Sequence, residues 1–130
     1  MSGCKITERG WAGHFICAAR CNFRRNTLIE SGDTRVVVST VGALRLKEDR
    51  QGFSDLGCDR TYETMAFMAK FDAPYWDADV SREVAFDMPW SLEGASQEHD
   101  QRANDMHEAI VSKITATIDD GSFAAPDPRP

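Results

Sequence analysis

Alternation of apolar and polar positions predicts β-strands along the first two-thirds of the chain. Residues 11–17 alternate with both faces largely apolar, as in a strand covered on two sides. Residues 22–31 alternate up to a turn at Gly32–Asp33. The next stretch, Arg35–Val41, is β-branched almost throughout, which favours a central strand, and Gly42 predicts a bend or bulge after it.

The middle of the chain separates two further strand patterns. Residues 47–60 lack periodicity and carry two glycines, which predicts a loop. Thr61–Phe71 resumes the alternation, and the face that carries Glu63 and Phe67 is the expected core face. Glu83–Met88 predicts one more short strand, which ends at a proline.

An amphipathic helix is predicted near the C-terminus. Ser96 is a suitable N-cap residue, so we expect the helix to run from Gln97 to Asp120, with Gly121 at the C′ position. One face carries an apolar stripe at three- and four-residue spacing, formed by Ala103, Met106, Ile110, Val111, Ile114 and Ile118. His107 is expected to flank this stripe.

These elements predict one α+β domain, with about five mostly antiparallel strands packed against one long C-terminal helix. The domain should span residues 1–121, and the proline-rich residues 122–130 should form a flexible tail. The apolar runs are much shorter than the roughly 20 residues of a membrane span. Met1–Lys5 carries no apolar signal segment, so a cytoplasmic location is expected.

Negative charge is concentrated in the second half of the chain. Residues 1–65 carry ten basic and eight acidic side chains, whereas residues 66–130 carry five and thirteen, which gives +2 and −8. An acidic surface disfavours direct nucleic-acid binding and suits a basic partner, although it also serves solubility.

Cysteine and histidine spacing does not favour a metal site. His14, Cys17 and Cys21 are zinc-type ligands close together in the sequence. However, alternation in a strand over residues 11–17 sends His14 and Cys17 to opposite faces, and no second ligand pair follows. We therefore predict thiols and no metal or cofactor, and leave open whether Cys17 and Cys21 pair.

Basic residues cluster before and within the second predicted strand. Arg20, Arg24, Arg25 and Asn26 are the candidate anion-binding residues, because guanidinium groups match phosphate and carboxylate geometry. Strand alternation places Arg24 and Arg25 on opposite faces, so only one of them can line a given pocket. The other arginine is expected to pair with an acidic neighbour, and the alternative to an anion site is a structural ion-pair role for this cluster.

Catalytic motifs are weak in this chain. No nucleophile elbow, His-Glu-x-x-His pair or glycine-rich phosphate loop is present. Arg9, Ser39, Thr40 and Glu63 loosely follow the arginine–serine–glutamate order of ADP-ribosyltransferases, which leaves a small transferase-like enzyme as a third hypothesis. We predict no catalytic residue.

Two aromatic and two acidic residues follow Pro74 in what the sequence predicts to be a loop that breaks the sheet. Tyr75, Trp76, Asp77 and Asp79 combine large rigid contact area with negative charge, which is typical of protein-binding hot spots. The alternative is that Trp76 folds back over the sheet edge.

The chain also resembles a group of small uncharacterised phage and prophage proteins over roughly residues 5–110. The segments that carry this resemblance are Arg9–Cys17, Cys21–Leu28, Val37–Gly42, Tyr62–Phe67 and Asn104–Ala109.

This resemblance implies a viral or mobile-element origin and no particular activity. Phage proteins of this size often bind and block a host bacterial protein, including components of defence systems such as CRISPR. The first hypothesis is therefore a non-enzymatic protein that binds a host protein. The alternative is a protein that binds or sequesters a nucleotide or other anion, and self-association stays open.

Overall fold

The alternating segments form an antiparallel sheet, and the apolar stripe near the C-terminus forms a helix packed against it. The structure is a computed structural model, and it describes residues 3–9, 21–45, 53–54, 61–94 and 96–128. Its elements are β1 (Lys5–Arg9), β2 (Cys21–Ser31), β3 (Thr34–Arg45), β4 (Phe53–Ser54), β5 (Tyr62–Asp72), β6 (Tyr75–Val84), β7 (Ser91–Leu92) and α1 (Gln97–Asp119). The predicted α+β class is confirmed.

The valine-rich strand β3 lies at the centre of the sheet, as its composition predicts. The main strand order is β1-β2-β3-β5-β6, while the two short strands β4 and β7 pair with β3 and β5. β2 and β3 form a long hairpin around a turn in which Gly32 has a φ of 58°, a value that favours glycine. The predicted strand at 11–17 lies outside the described residues.

Helix α1 begins and ends where the capping residues predict. The Ser96 side chain accepts a hydrogen bond from the His99 backbone N–H, and Gly121 has a φ of 82° just beyond the C-cap residue Asp120. The helix packs across β2, β3 and β5. The core between helix and sheet contains Ile29, Val36, Val38, Tyr62, Ala66, Met68, Val84, Ala103, Met106, Ile110, Val111 and Ile114.

The face of β5 that meets the helix is opposite to the predicted one. Tyr62, Ala66 and Met68 belong to the helix-side core, whereas Glu63 and Phe67 lie on the second face of the sheet. Both faces are buried along this part of β5, because Glu63 and Phe67 are also buried. Periodicity alone could not separate two buried faces.

Gly42 does not bend β3, in contrast to the prediction. It pairs in register with Phe23 on one side and Tyr62 on the other. A Cβ atom at this position would come within 2.0 Å of the Tyr62 ring. The glycine is therefore required by the aromatic ring that packs over it rather than by a change in backbone direction.

Strand β6 replaces the predicted loop over residues 75–79. It forms a hairpin with β5 through a two-residue turn, Ala73–Pro74, whose peptide bond is cis. Its register with β5 shifts after Ala78, where Asp79 accepts hydrogen bonds from both the backbone N–H and the hydroxyl of Ser81. The acidic residues predicted a loop, but an edge strand with a bulge also tolerates acidic side chains.

Residues 122–128 have no regular secondary structure but contact the domain as far as Pro126. Phe123 packs against the core, and its backbone N–H donates to the carbonyl of Thr117. The Arg82 side chain donates to the carbonyl of Pro126. The part of the tail that the structure describes thus makes more contacts than its proline-rich composition suggests.

Candidate functional site

The predicted arginine cluster is divided between the two faces of the sheet. Arg20 lies outside the described residues, and Arg24 is exposed on the second face. Arg25 lies on the helix side, where its guanidinium binds both carboxylate oxygens of Glu8 at 3.0 and 2.8 Å and one oxygen of Glu108 at 2.5 Å. Asn104 also accepts from it at 3.0 Å.

Arg25 therefore ties β1 and α1 to β2. Burial alone would lower the pKa of Arg25, but the hydrogen bonds that it donates to Glu8 and Glu108 outweigh burial and raise that pKa. Because its donors are already directed at three partners, Arg25 fits the structural ion pair better than the anion site. Among the described residues of this cluster, Arg24 and Asn26 lie on the second face and Arg25 lies on the helix face.

Asn26 instead fixes Arg9 on the second face. The Arg9 Nε and one terminal nitrogen both donate to Asn26 Oδ1, at 2.9 and 2.6 Å. Its other terminal nitrogen donates to the carbonyl of Trp76. The β1 edge and the β5–β6 hairpin are thus linked through one buried arginine.

The Trp76 ring lies against a second arginine, Arg35, whose guanidinium carbon is 4.2 Å from the ring centroid. Trp76 also contacts Phe71, with the ring centroids 5.3 Å apart. Trp76 is only partly exposed. This position corresponds to the alternative in which Trp76 folds back onto the sheet, so it anchors the hairpin.

His107 is fully buried between helix and sheet, which corrects its predicted position beside the apolar stripe. Its Nε2 lies 2.7 Å from the Thr27 hydroxyl oxygen, and its Nδ1 lies 2.7 Å from the Thr40 hydroxyl oxygen. Thr40 in turn contacts Thr64 at 2.6 Å, and Thr27 donates to Glu8. The chain of contacts crosses all three central strands and reaches β1.

Counting donors and acceptors places a hydrogen on one ring nitrogen of this histidine. Thr27 uses its only hydrogen on the Glu8 carboxylate, so His107 Nε2–H must donate to Thr27. In the neutral ring, His107 Nδ1 accepts from Thr40, which accepts from Thr64. Neutral His107 is therefore fully hydrogen-bonded.

The electrostatic surroundings oppose protonation of His107. Burial and the nearby Arg25 charge lower the pKa of His107 from 6.5 to about 4, against the opposing effect of Glu8 and Glu108. For Glu8, burial raises the pKa, but hydrogen bonds from Arg25 and Thr27 outweigh it and leave that pKa below its usual range. The buried position and satisfied hydrogen bonds make this network structural.

The residues of the enzyme hypothesis are divided between the two faces of the sheet. Arg9, Ser39 and Glu63 are buried on the second face, whereas Thr40 lies on the helix face and binds His107. His14 lies outside the described residues. Among the residues that the structure describes, no three His, Cys, Asp or Glu side chains are grouped as metal ligands.

The outer part of the β5–β6 hairpin, residues 70–80, is hereafter the hairpin tip, and it is the candidate interaction surface. Phe71, Tyr75 and Val80 are 59%, 56% and 60% exposed. Across the described residues, the other large exposed hydrophobic side chains are Ile6 and Trp90. Exposed apolar side chains of this size, concentrated on one hairpin, are typical of a protein-binding surface.

Charge surrounds these apolar side chains. The hairpin tip contains three aspartates and one lysine, and the Asp72 and Asp77 carboxylates are exposed. Asp79 has a different role, because the hydrogen bonds from Ser81 hold its pKa below the usual range and stabilise the bulge. Of the four predicted residues, Tyr75 and Asp77 are thus available at the surface, while Trp76 and Asp79 shape the hairpin.

The sequence prediction missed Phe71 and Val80 as surface residues and Glu8, Thr27 and Thr64 as members of the His107 hydrogen-bond network. One signal was present for the buried network, because Thr27, Thr40 and Thr64 occupy strand positions that alternate in step with core residues. No comparable signal reveals that Phe71 is exposed, since its side chain continues the apolar pattern of β5.

Comparison with known proteins gives no match to a family model, to a curated protein or to a solved structure. No helix that the structure describes is long and apolar enough to cross a membrane. The function of this chain must therefore be inferred from its own residues.

Proposed function

We propose that this chain is a small phage or mobile-element protein that binds a host bacterial protein without catalysis, as an inhibitor of a defence system such as CRISPR would. The observation that supports this proposal is the concentration of exposed Phe71, Tyr75 and Val80 on the hairpin tip. Aromatic and aliphatic side chains of this kind supply the buried centre of protein interfaces.

The partner is expected to present a basic surface. The hairpin tip has an excess of acidic side chains, and residues 66–130 carry a charge of −8. Complementary charge would accelerate association and orient the partner, and this contribution would weaken as salt screens it.

The hairpin is a suitable platform because its position is fixed on both sides. Arg9 and Arg35 hold Trp76 on the second face, while the Asp79–Ser81 hydrogen bonds hold the bulge. A surface that is already ordered loses less conformational entropy on binding than a flexible loop would.

The test is capture from a bacterial lysate by the immobilised full chain, followed by affinity measurement with the purified captured protein. The double variant Tyr75→Ser, Val80→Ser should lose that protein, because it removes two of the exposed apolar side chains of the hairpin tip. Ile6→Ser removes an exposed hydrophobic side chain elsewhere, so this matched control should retain it.

Charge is tested separately with Asp72→Lys, Asp77→Lys, which should reduce affinity at low salt more than at high salt. The control is Asp33→Lys, Asp105→Lys, which makes the same change in net charge at two exposed positions elsewhere. Capture that survives both sets of hairpin variants would remove the proposed surface, and a wild-type chain that retains no protein would contradict binding itself.

A further inference from the structure

A cavity of about 340 Å³ lies beside the outer edge of β5, away from the turn of the hairpin. β7 pairs with Tyr62 and Glu63, whereas β6 pairs with β5 only from Ala66 onwards. The edge of β5 between these two pairings contributes to the wall of the cavity. The residues that line this cavity include Glu63, Met65, Glu83, Val84, Phe86 and Trp90.

The chemistry of this wall has two parts. Met65, Val84, Phe86 and Trp90 provide apolar and aromatic surface, which suits a short methylene chain. The carboxylates of Glu63 and Glu83 provide negative charge, and none of the described lining residues is basic. A volume of this size is at the lower end of the range for small-ligand sites.

The wall is fixed in position by the fold. The backbone N–H of Thr64 donates to the Trp90 carbonyl at 2.8 Å, which attaches the Trp90 segment to β5. Glu63, Glu83 and Trp90 also take part in other interactions within the chain. Glu63 is buried, whereas Glu83 and Trp90 are exposed enough to meet a ligand from solvent.

We propose that this cavity binds an aliphatic ammonium or guanidinium cation. Carboxylates form charge-assisted hydrogen bonds with the nitrogen atoms of such a group, the Trp90 ring attracts its positive charge, and the apolar wall accepts its methylene chain. This chemistry is shared by free amines and by lysine or arginine side chains of a protein. The site is separate from the hairpin tip and is independent of the function proposed above.

The experiment is a titration of the 15N-labelled full chain with agmatine and putrescine, followed by amide chemical shifts. We expect saturable shifts confined to residues 63–65 and 83–90, and none of this pattern with n-butanol, which has a similar chain without the charge. Blocked lysine and arginine amides form a second arm. Binding of free diamines alone assigns a small-amine ligand, and equal binding of the blocked amino acids assigns a protein side chain.

Three variants make the result decisive. Glu83→Gln should weaken agmatine binding about tenfold, because it removes one charge-assisted contact. Trp90→Leu should weaken it about threefold through loss of the cation–π contact. Asp33→Asn removes a charge at the distant β2–β3 turn and should leave binding unchanged.

Glu83 and Trp90 are both at the surface, so these variants test the site even if substitution of buried Glu63 disturbs folding. Shifts of the same size with n-butanol, or wild-type affinity for agmatine in Glu83→Gln, would overturn the proposal. Loss of partner capture by the hairpin variants together with intact agmatine binding would separate this site from the protein-binding surface.

Discussion

Acidification should destabilise this protein through protonation of His107. Among the histidines that the structure describes, His107 should make the largest contribution. The pKa of His107 is lowered from 6.5 to about 4 in the folded protein by burial and by Arg25. Since the unfolded chain takes up this proton at a higher pH than the folded protein, the free energy of unfolding falls as pH falls below 6.5. The loss is complete only below pH 4, where His107 is protonated in both states.

The size of this effect follows from the two pKa values. The gap between 6.5 and about 4, at about 1.36 kcal/mol per pKa unit, corresponds to about 3 kcal/mol. That loss is a large part of the stability of an ordinary domain, which is about 5–15 kcal/mol. The maximal slope for one proton is about 1.4 kcal/mol per pH unit.

Urea unfolding monitored by circular dichroism at half-unit steps from pH 7 to pH 4 measures this slope. His107→Gln is the matched variant, because an amide can both donate and accept a hydrogen bond but does not titrate in this range. To first order, carboxylates such as Glu8 contribute the same pH dependence of the free energy of unfolding to both proteins. The wild type should therefore lose about 3 kcal/mol more than the variant between pH 6.5 and pH 4. Parallel pH profiles for the two proteins would refute the neutral buried state of His107.

Three further predictions concern stability at neutral pH, each measured by urea unfolding against the wild type. Ser96→Ala should lower the free energy of unfolding by about 1 kcal/mol, because the His99 N–H loses its cap, and an unchanged midpoint would argue against the cap. Gly42→Ala should cost about 1–3 kcal/mol by displacing the Tyr62 ring, whereas a neutral effect would mean that the ring is not packed there. Phe123→Ala should cost about 1–2 kcal/mol because this side chain packs on the core, and an unchanged free energy of unfolding would contradict that packing.

Local signals predicted the helix and the central strand well. Ser96, the apolar stripe and Gly121 each specify a part of α1 without reference to the rest of the chain, so its bounds agree to within one residue with the structure. The β-branched residues of β3 likewise favour a central strand from local composition alone.

Tertiary contacts explain what the sequence could not predict. The burial of His107 depends on Thr27 and Thr40, which are 80 and 67 residues away along the chain. The strand β6 was missed because Asp77 and Asp79 resemble loop residues until their edge position and the bulge are known. β1 is short and carries charged residues, and its pairing with β2 gives it a strand conformation.

The residues of the candidate surface were also only partly predictable from the sequence. Tyr75 and Asp77 were identified from residue type, and the structure leaves both exposed. Phe71 and Val80 are recognised only from their exposure, and Arg24 and Arg25 are separated by the alternation that the sequence already indicated. The ion-pair partners of Arg25 lie on two other elements and could not be assigned from β2 alone.

Hydrogen–deuterium exchange of the purified complex tests the central claim most directly. Once a captured host protein has been isolated, exchange of this chain is compared with and without that partner by mass spectrometry of peptides. The proposed function predicts slower exchange in residues 70–80, with residues 101–112 of the helix unchanged. Protection confined to peptides outside the hairpin tip, with residues 70–80 exchanging as in the free protein, would contradict it.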